Sequence, residues 1–324
     1  FHTFQSLAYT IEVYRGTQKA ERRPGMFALY VMFFPQLVAG PIERPRNLLQ
    51  QIEHPRTFDR AKAVDGLRQM LWGLFKKIVI ADNCAAYANP IFEDPTGHTG
   101  STLLVGALLF TFQIYCDFSG YSDIAIGCSR LFGFSLMRNF AFPYFSRDIA
   151  EFWRRWHISL STWFRDYVYI PLGGSRGGKW SSLRNTLIIF LLSGLWHGAN
   201  WTFLCWGALN ALYFIPLLLA KRNRRNLDTV AAGRWLPTWR ELFGMAATFL
   251  LAVLAWIFFR AENVTMALQH LQGIFSPSLF SLPTVLPKDV LLLVTGFVLV
   301  EWVSRERQHP LEIVATWRSR AARW

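Results

Sequence analysis

The sequence predicts an all-α integral membrane protein, a multi-pass bundle of tilted and re-entrant helices, and three observations carry that prediction. The first is composition: the 324 residues are 52% hydrophobic and 16% aromatic, yet Lys and Arg outnumber Asp and Glu by 34 to 21, for a formal charge of +13. A soluble basic domain is not this apolar. A nucleic-acid binder does not carry 14 Trp and 28 Phe in long uncharged runs, so no nucleic acid is expected as a partner and the positive charge reads as loops lying against membrane lipids.

The second observation is a series of apolar segments at about 26–42, 70–90, 101–118, 121–136, 185–196, 200–220, 241–259 and 289–303. Several fall short of the roughly 20 residues that a helix needs to cross the hydrocarbon, so half-helices and re-entrant elements lodged against neighbours are expected. The first segment is one of these, because it holds Pro35, Gly40 and Pro41 between Arg22, Arg23, Arg44 and Arg46.

The third is the placement of charge. Neither 91–102 nor 261–287 contains Lys or Arg, whereas 221–240 holds Lys221, Arg222, Arg224, Arg225, Arg234 and Arg240. The stretch 138–184 holds Arg138, Arg147, Arg154, Arg155, Arg165, Arg176, Lys179 and Arg184, and the tail beyond Val303 is basic again. The positive-inside rule puts the first two connections outside and the basic stretches in the cytoplasm. Residues 185–220 then form a hairpin that enters the bilayer and returns.

Within that hairpin lies "LLSGLWHGANW", residues 191–201. An ionisable side chain in hydrocarbon is costly and marks a functional site, and His exchanges a proton near neutral pH. His197 is therefore a candidate base, or a hydrogen-bonded turn residue between half-helices that Gly194 and Gly198 bring close together. His157, in "EFWRRWHISLS", is a second candidate at the cytoplasmic mouth, or an interfacial aromatic-basic anchor. Asn200 either orients the His197 ring or caps the next helix.

In "YCDFSGYSDIAIG", Asp117, Tyr121 and Asp123 either line a polar passage or mark a break between two helices, with Ser119 or Ser122 as cap and Gly120 easing the turn. The two acids need cations, and the arginines of 147–165 are the expected partners. "GGSRGGKW", 173–180, imitates a phosphate loop but puts Trp180 where a magnesium-binding hydroxyl belongs, so it reads as a flexible basic loop. The four cysteines, with no C-x-x-C spacing, predict neither a metal site nor a disulfide framework.

The stretches "TFQSLAYTIEVYRG", "FFPQLVAGPIERP", "GLFKKIVIADN", "YCDFSGYSDIAIG", "FPYFSRDIAEFWRRWHISLSTWFRDYVYIPLGG", "LLSGLWHGANWTFLCWG" and "WIFFRA" occur in order along the chain. Together they resemble the bacterial alginate O-acetyltransferase branch of the membrane-bound O-acyltransferase superfamily. The resemblance covers nearly the whole chain and implies a single domain of that type over 1–324. It also implies helices surrounding a transmembrane tunnel. The chain opens at Phe1 with neither Met nor a signal pattern, which predicts that N-terminal helices of the domain precede it.

The resemblance further implies that His197 is catalytic and His157 essential. The donor it implies is a cytoplasmic thioester, acetyl-coenzyme A or a carrier-bound acyl group, with no bound cofactor. The acceptor would be an extracytoplasmic polysaccharide such as alginate or a cell-wall glycan, reached with an esterase-like partner outside the bacterial inner membrane. Transfer of this kind needs a base, oxyanion donors and exclusion of water. No G-x-S-x-G elbow is present to supply a serine nucleophile, so direct transfer with His197 as base is expected. Arg154, Arg155, Arg165 and Arg176 are expected to hold the anionic part of the donor. A transporter with a midplane site is the competing class, and no inverted repeat supports it.

Overall fold

Among residues 2–316, which the computed structural model describes, regular structure is entirely helical. In chain order the helices are α1 (His2–Tyr14), α2 (Pro24–Val31), α3 (Pro45–Glu53), α4 (Arg60–Leu74), α5 (Asp82–Glu93), α6 (Gly100–Leu131) and α7 (Ile149–Arg155). They continue with α8 (Ile158–Phe164), α9 (Gly178–His197), α10 (Trp201–Leu219), α11 (Trp239–Arg260), α12 (Val264–Ile274) and α13 (Lys288–Ser304). Among the described residues three helices, α6, α10 and α11, are long and apolar enough to cross a membrane. The first apolar segment is broken as expected: α2 ends at Val31, a short 3-10 turn follows at Phe34–Gln36, and the chain then bends through Gly40 and Pro41.

A different break is absent. The sequence predicted two helices meeting near Gly120, but α6 runs unbroken for 32 residues. Its glycines serve helix packing instead. A Cβ on Gly120 would lie 2.8 Å from the Gly73 carbonyl oxygen, and one on Gly127 would lie 2.3 Å from that of Gly66. Gly66 and Gly73 are two turns apart on α4, as are Gly120 and Gly127 on α6, so the two antiparallel helices share a seam at which their backbones touch. Neither Ser119 nor Ser122 is a cap. Their hydroxyls accept from Lys76 Nζ at 2.9 Å and from Asn139 Nδ2 at 3.1 Å. Segment 70–90 likewise holds together, since a π-helical stretch, Phe75–Ala81, carries α4 into α5.

The α9–α10 hairpin is closed in the same way. A Cβ on Gly194 would stand 2.3 Å from Phe203 O, and one on Gly207 would stand 2.4 Å from Phe190 O. Asn200 caps α10, accepting from Thr202 N at 3.1 Å.

The charge-poor and charge-rich connections gather at opposite ends. At one end Gly100 N donates to Ser278 Oγ and Thr284 N to Thr102 Oγ1, each at 2.9 Å, and Asn200 Nδ2 donates to Glu262 O at 2.8 Å. At the other, Arg154 donates to the carbonyls of Asn223 and Asn226 at 2.7 and 2.8 Å, and Arg305 Nε to that of Val230 at 2.9 Å. Helix α11 joins the two: Glu241 in its first turn lies 3.6 Å from Arg147, and Arg260 at its last residue donates to Asn89 Oδ1 at 2.9 Å.

This two-ended arrangement predicts accessibility. With an impermeant thiol reagent on sealed cells and inverted vesicles, Trp180→Cys should label only from the cytoplasmic face and Glu93→Cys only from the opposite face. The reverse pattern would overturn the orientation.

Candidate functional site

His197 is the last residue of α9, and the chain leaves it through an extended Gly198 into the Asn200 cap. Its imidazole is half-buried and packed among aromatic rings: Trp196 at 4.8 Å between centroids, Phe259 at 5.0 Å and Trp206 at 5.2 Å. Phe203 stands at 6.2 Å. The spacing explains part of this set. Phe203 and Trp206 lie three residues apart on the α10 face that packs toward α9, and Phe259 comes from the end of α11.

His157 is not a surface anchor. It is only 2% exposed and takes a left-handed backbone, φ +44°, immediately before α8. Its ring stands edge-on to Phe118 at 4.6 Å and parallel to Phe140 at 6.4 Å. Trp196 touches both histidines, lying 6.4 Å from His157 and 4.8 Å from His197. The sequence separated the two as mouth and interior. In the fold one indole bridges them, because the short helices α7 and α8 turn inward and pack under α9–α11, with Trp156 against Trp256 at 4.9 Å.

The acids of α6 find partners, though not the expected arginines. Lys77 Nζ lies 2.8 Å from Asp117 and 2.8 Å from Asp82. Lys76 Nζ lies 2.5 Å from Asp123, whose other oxygen accepts from Gln69 Nε2 at 2.7 Å. The cause is the seam: α4 and its π-helical extension lie along the same face of α6, whereas the arginine-rich segment packs elsewhere. Tyr121 OH accepts from Val38 N at 3.2 Å and so ties α6 to the broken first segment. Glu301 of α13 accepts from Tyr115 OH at 2.8 and 3.0 Å. Lys76, Asp123, Arg138 and Glu301 together line a small, partly open pocket that reaches Asn139.

A sequence profile of the membrane-bound O-acyltransferase family matches residues 24–253, more than half of the chain. The chain belongs to the membrane-bound O-acyltransferase family. Among relatives of this family, it is 46% identical over 278 residues to a probable alginate O-acetylase of Azotobacter vinelandii, covering 85% of this chain and 53% of that protein. It is 45% identical over 276 residues to a probable alginate O-acetylase of Pseudomonas aeruginosa, covering 85% and 51%. To a peptidoglycan O-acetyltransferase of Helicobacter pylori it is 36% identical over 299 residues, covering 84% and 55%. The chain spans about half the length of these relatives.

The structure divides the arginines expected at the mouth. Arg154 is used by the two carbonyls of the 223–226 loop. Arg155 donates to Glu151 at 3.0 Å and to the carbonyls of Ala141 and Asp228 at 3.2 and 2.8 Å. Arg147 also clasps Glu151, at 3.0 and 3.1 Å, and its hydrogen bond to Asp228 holds that carboxyl below its usual range. These three tie the basic loops together. Arg165, paired with its neighbour Asp166 at 2.7 Å, and Arg176 are the two that stay exposed. Asn200 has its amide oxygen on Thr202 and its amide nitrogen on Glu262, both on the backbone of the outer turn.

Sequence reasoning missed Lys76, Lys77, Glu301 and Asn139. The two lysines of "FKKIVIADN" and the carboxylate of "VLVEWVS" interrupt apolar runs, and that signal marks charged groups that need partners; Lys76 and Glu301 are buried, whereas Lys77 is half-exposed.

The Glu151 clasp generates a prediction. Glu151 is 1% exposed between two guanidinium groups. Glu151→Ala takes the buried carboxylate from both, leaving Arg147 to the exposed Asp228 and Arg155 to backbone carbonyls, and should destabilise the protein by about 3 kcal/mol, the low end for a broken buried pair. Thermal unfolding in detergent should show a clear drop in midpoint, and an unchanged midpoint would contradict the clasp.

Proposed function

We propose that this chain is the catalytic membrane unit of an O-acyltransferase in the bacterial inner membrane, spanning it several times. It takes an acetyl group from a cytoplasmic thioester, acetyl-coenzyme A or a carrier-bound donor, and passes it to a hydroxyl of an extracytoplasmic polysaccharide. The observation that carries this reading is the meeting of His157 and His197 across Trp196 inside an aromatic enclosure. Alginate and peptidoglycan are the acceptors in the names of the relatives, and either would be met on the outer side with an esterase-like partner protein.

The chemistry asks little more of the chain. His197 accepts the acceptor's hydroxyl proton while that oxygen attacks the thioester carbonyl. The carbon–sulfur bond then breaks, and the proton returns from His197 to the departing thiolate. His157, on the far side of Trp196, serves the same tunnel by donating to the carbonyl oxygen as negative charge develops on it. The surrounding rings of Trp196, Phe203, Trp206 and Phe259 keep out the water that would hydrolyse the donor. Asp117, Tyr121 and Asp123 are left as supports of α6, and Asn200 as the cap of α10, helices that pack around the histidines. No metal enters this scheme. The anionic part of the donor stays at the cytoplasmic surface with Arg165 and Arg176, since Arg154 and Arg155 are engaged within the fold.

Two measurements on the full-length protein test this. His197→Ala should cut acetyl transfer by at least about 10²-fold without altering membrane insertion, because it removes the proton acceptor. Near-normal acetylation would sink the mechanism. Arg165→Glu combined with Arg176→Glu should weaken binding of a non-hydrolysable acyl-coenzyme A analogue, with the difference from wild type shrinking as salt is raised. Transport of acetylated product without thioester cleavage would place the protein among transporters instead.

A further inference from the structure

Beyond the two histidines, a single buried amide holds the segment on which one of them sits. Asn139 is 0% exposed and faces α8 and α6 at once. Its backbone carbonyl accepts from Ile158 N at 2.9 Å. Its side-chain Oδ1 accepts from Ser159 Oγ at 2.9 Å and from Ser159 N at 3.3 Å. Its Nδ2 donates to Ser122 Oγ at 3.1 Å. Two residues further on, Ala141 N donates to Arg155 O at 2.9 Å. Residues 139–141 thus bracket residues 155–159, and His157 lies at the centre of the bracket with the φ of +44° that non-glycine residues avoid.

We propose that Asn139 is a positioning residue for His157: by tying the first turn of α8 to Ser122 of α6, it fixes the backbone that aims the imidazole at Trp196. The proposal rests on the reading that His157 takes part in acyl transfer. The amide suits this task because it needs an acceptor toward two Ser159 donors and a donor toward Ser122 at the same time. Alanine supplies neither. A left-handed residue persists only where its surroundings over-determine it. With only the two backbone bonds of the bracket left, the first turn of α8 loses its tie to α6, the 157–158 junction relaxes and the ring moves off its place between Phe118 and Phe140.

The test uses the full-length protein in vesicles with its extracytoplasmic partner, acetyl-coenzyme A as donor and a soluble oligosaccharide as acceptor. Asn139→Ala should lower kcat by about 10- to 100-fold while the donor KM changes little, since misplacing a reacting group by about 1 Å costs on the order of 10²-fold. Asn185→Ala is the control: that amide is equally buried but donates to Leu172 O and Gly174 O, at 3.1 and 3.0 Å, in the cytoplasmic loop. It should keep its kcat even where its melting midpoint falls.

The double variant Asn139→Ala/His157→Ala should be no slower than His157→Ala alone. Multiplied losses would give Asn139 a role apart from His157 and overturn the proposal, as would an unchanged kcat in Asn139→Ala. Should Asn139→Ala fail to fold, Ser159→Ala removes one arm of the bracket, and it should lower kcat with an unchanged melting midpoint. An unchanged kcat there would also overturn the proposal. The ring nitrogen resonances of His157 in histidine-labelled protein report the positioning without reference to turnover. They should shift in Asn139→Ala, or in Ser159→Ala where that variant replaces it, and stay fixed in Asn185→Ala; a fixed spectrum in the bracket variant overturns the proposal. A shifted spectrum alongside full activity of His157→Ala would uphold the positioning and reject the catalytic reading of His157.

Discussion

In hydrocarbon no water is at hand to satisfy a free peptide group, so irregular backbone survives there only where protein groups take every donor and acceptor. A segment buried inside the bundle is under the same constraint, and the chain between Arg138 and Tyr169 is such a stretch, with two seven-residue helices, a left-handed histidine and a π-helical end packed beneath α9–α11. What makes it tolerable is backbone-to-backbone and amide pairing on one side, through Asn139 and Ala141, and a carboxylate between two guanidinium groups on the other, through Glu151. His157 can approach His197 only because this stretch is held inside the bundle. The rest of the fold is arranged to admit it.

The long helices make that room by touching one another elsewhere. Where α4 meets α6, and where α9 meets α10, glycines remove the side chains between backbones, and van der Waals contact replaces the hydrophobic drive that lipid does not supply. The charges left in the apolar layer are then paired locally, as Lys76 is with Asp123 and Lys77 with Asp117. Around the histidines the filling is aromatic. Large rigid rings bury much apolar surface and leave few polar atoms to satisfy, so the space around the histidines is apolar.

The sequence by itself determined the class of the protein, its long apolar stretches, the two ends defined by Lys and Arg and the family, and it marked two histidines as candidates. Each of these is written in local pattern: apolar run length, charge count in a connection, or a short motif. The glycines of α4 and α6 were legible as glycines, but the sequence read Gly120 as a break, because a close approach and a turn both call for a residue without Cβ. Only the tertiary structure decided which helix lies opposite, and so which lysine pairs with each aspartate, which arginines are consumed in holding loops, and that Trp196 stands between His157 and His197. These depend on residues about 40 to 80 positions apart meeting in space, and contacts of that kind leave no period in the chain that forms them.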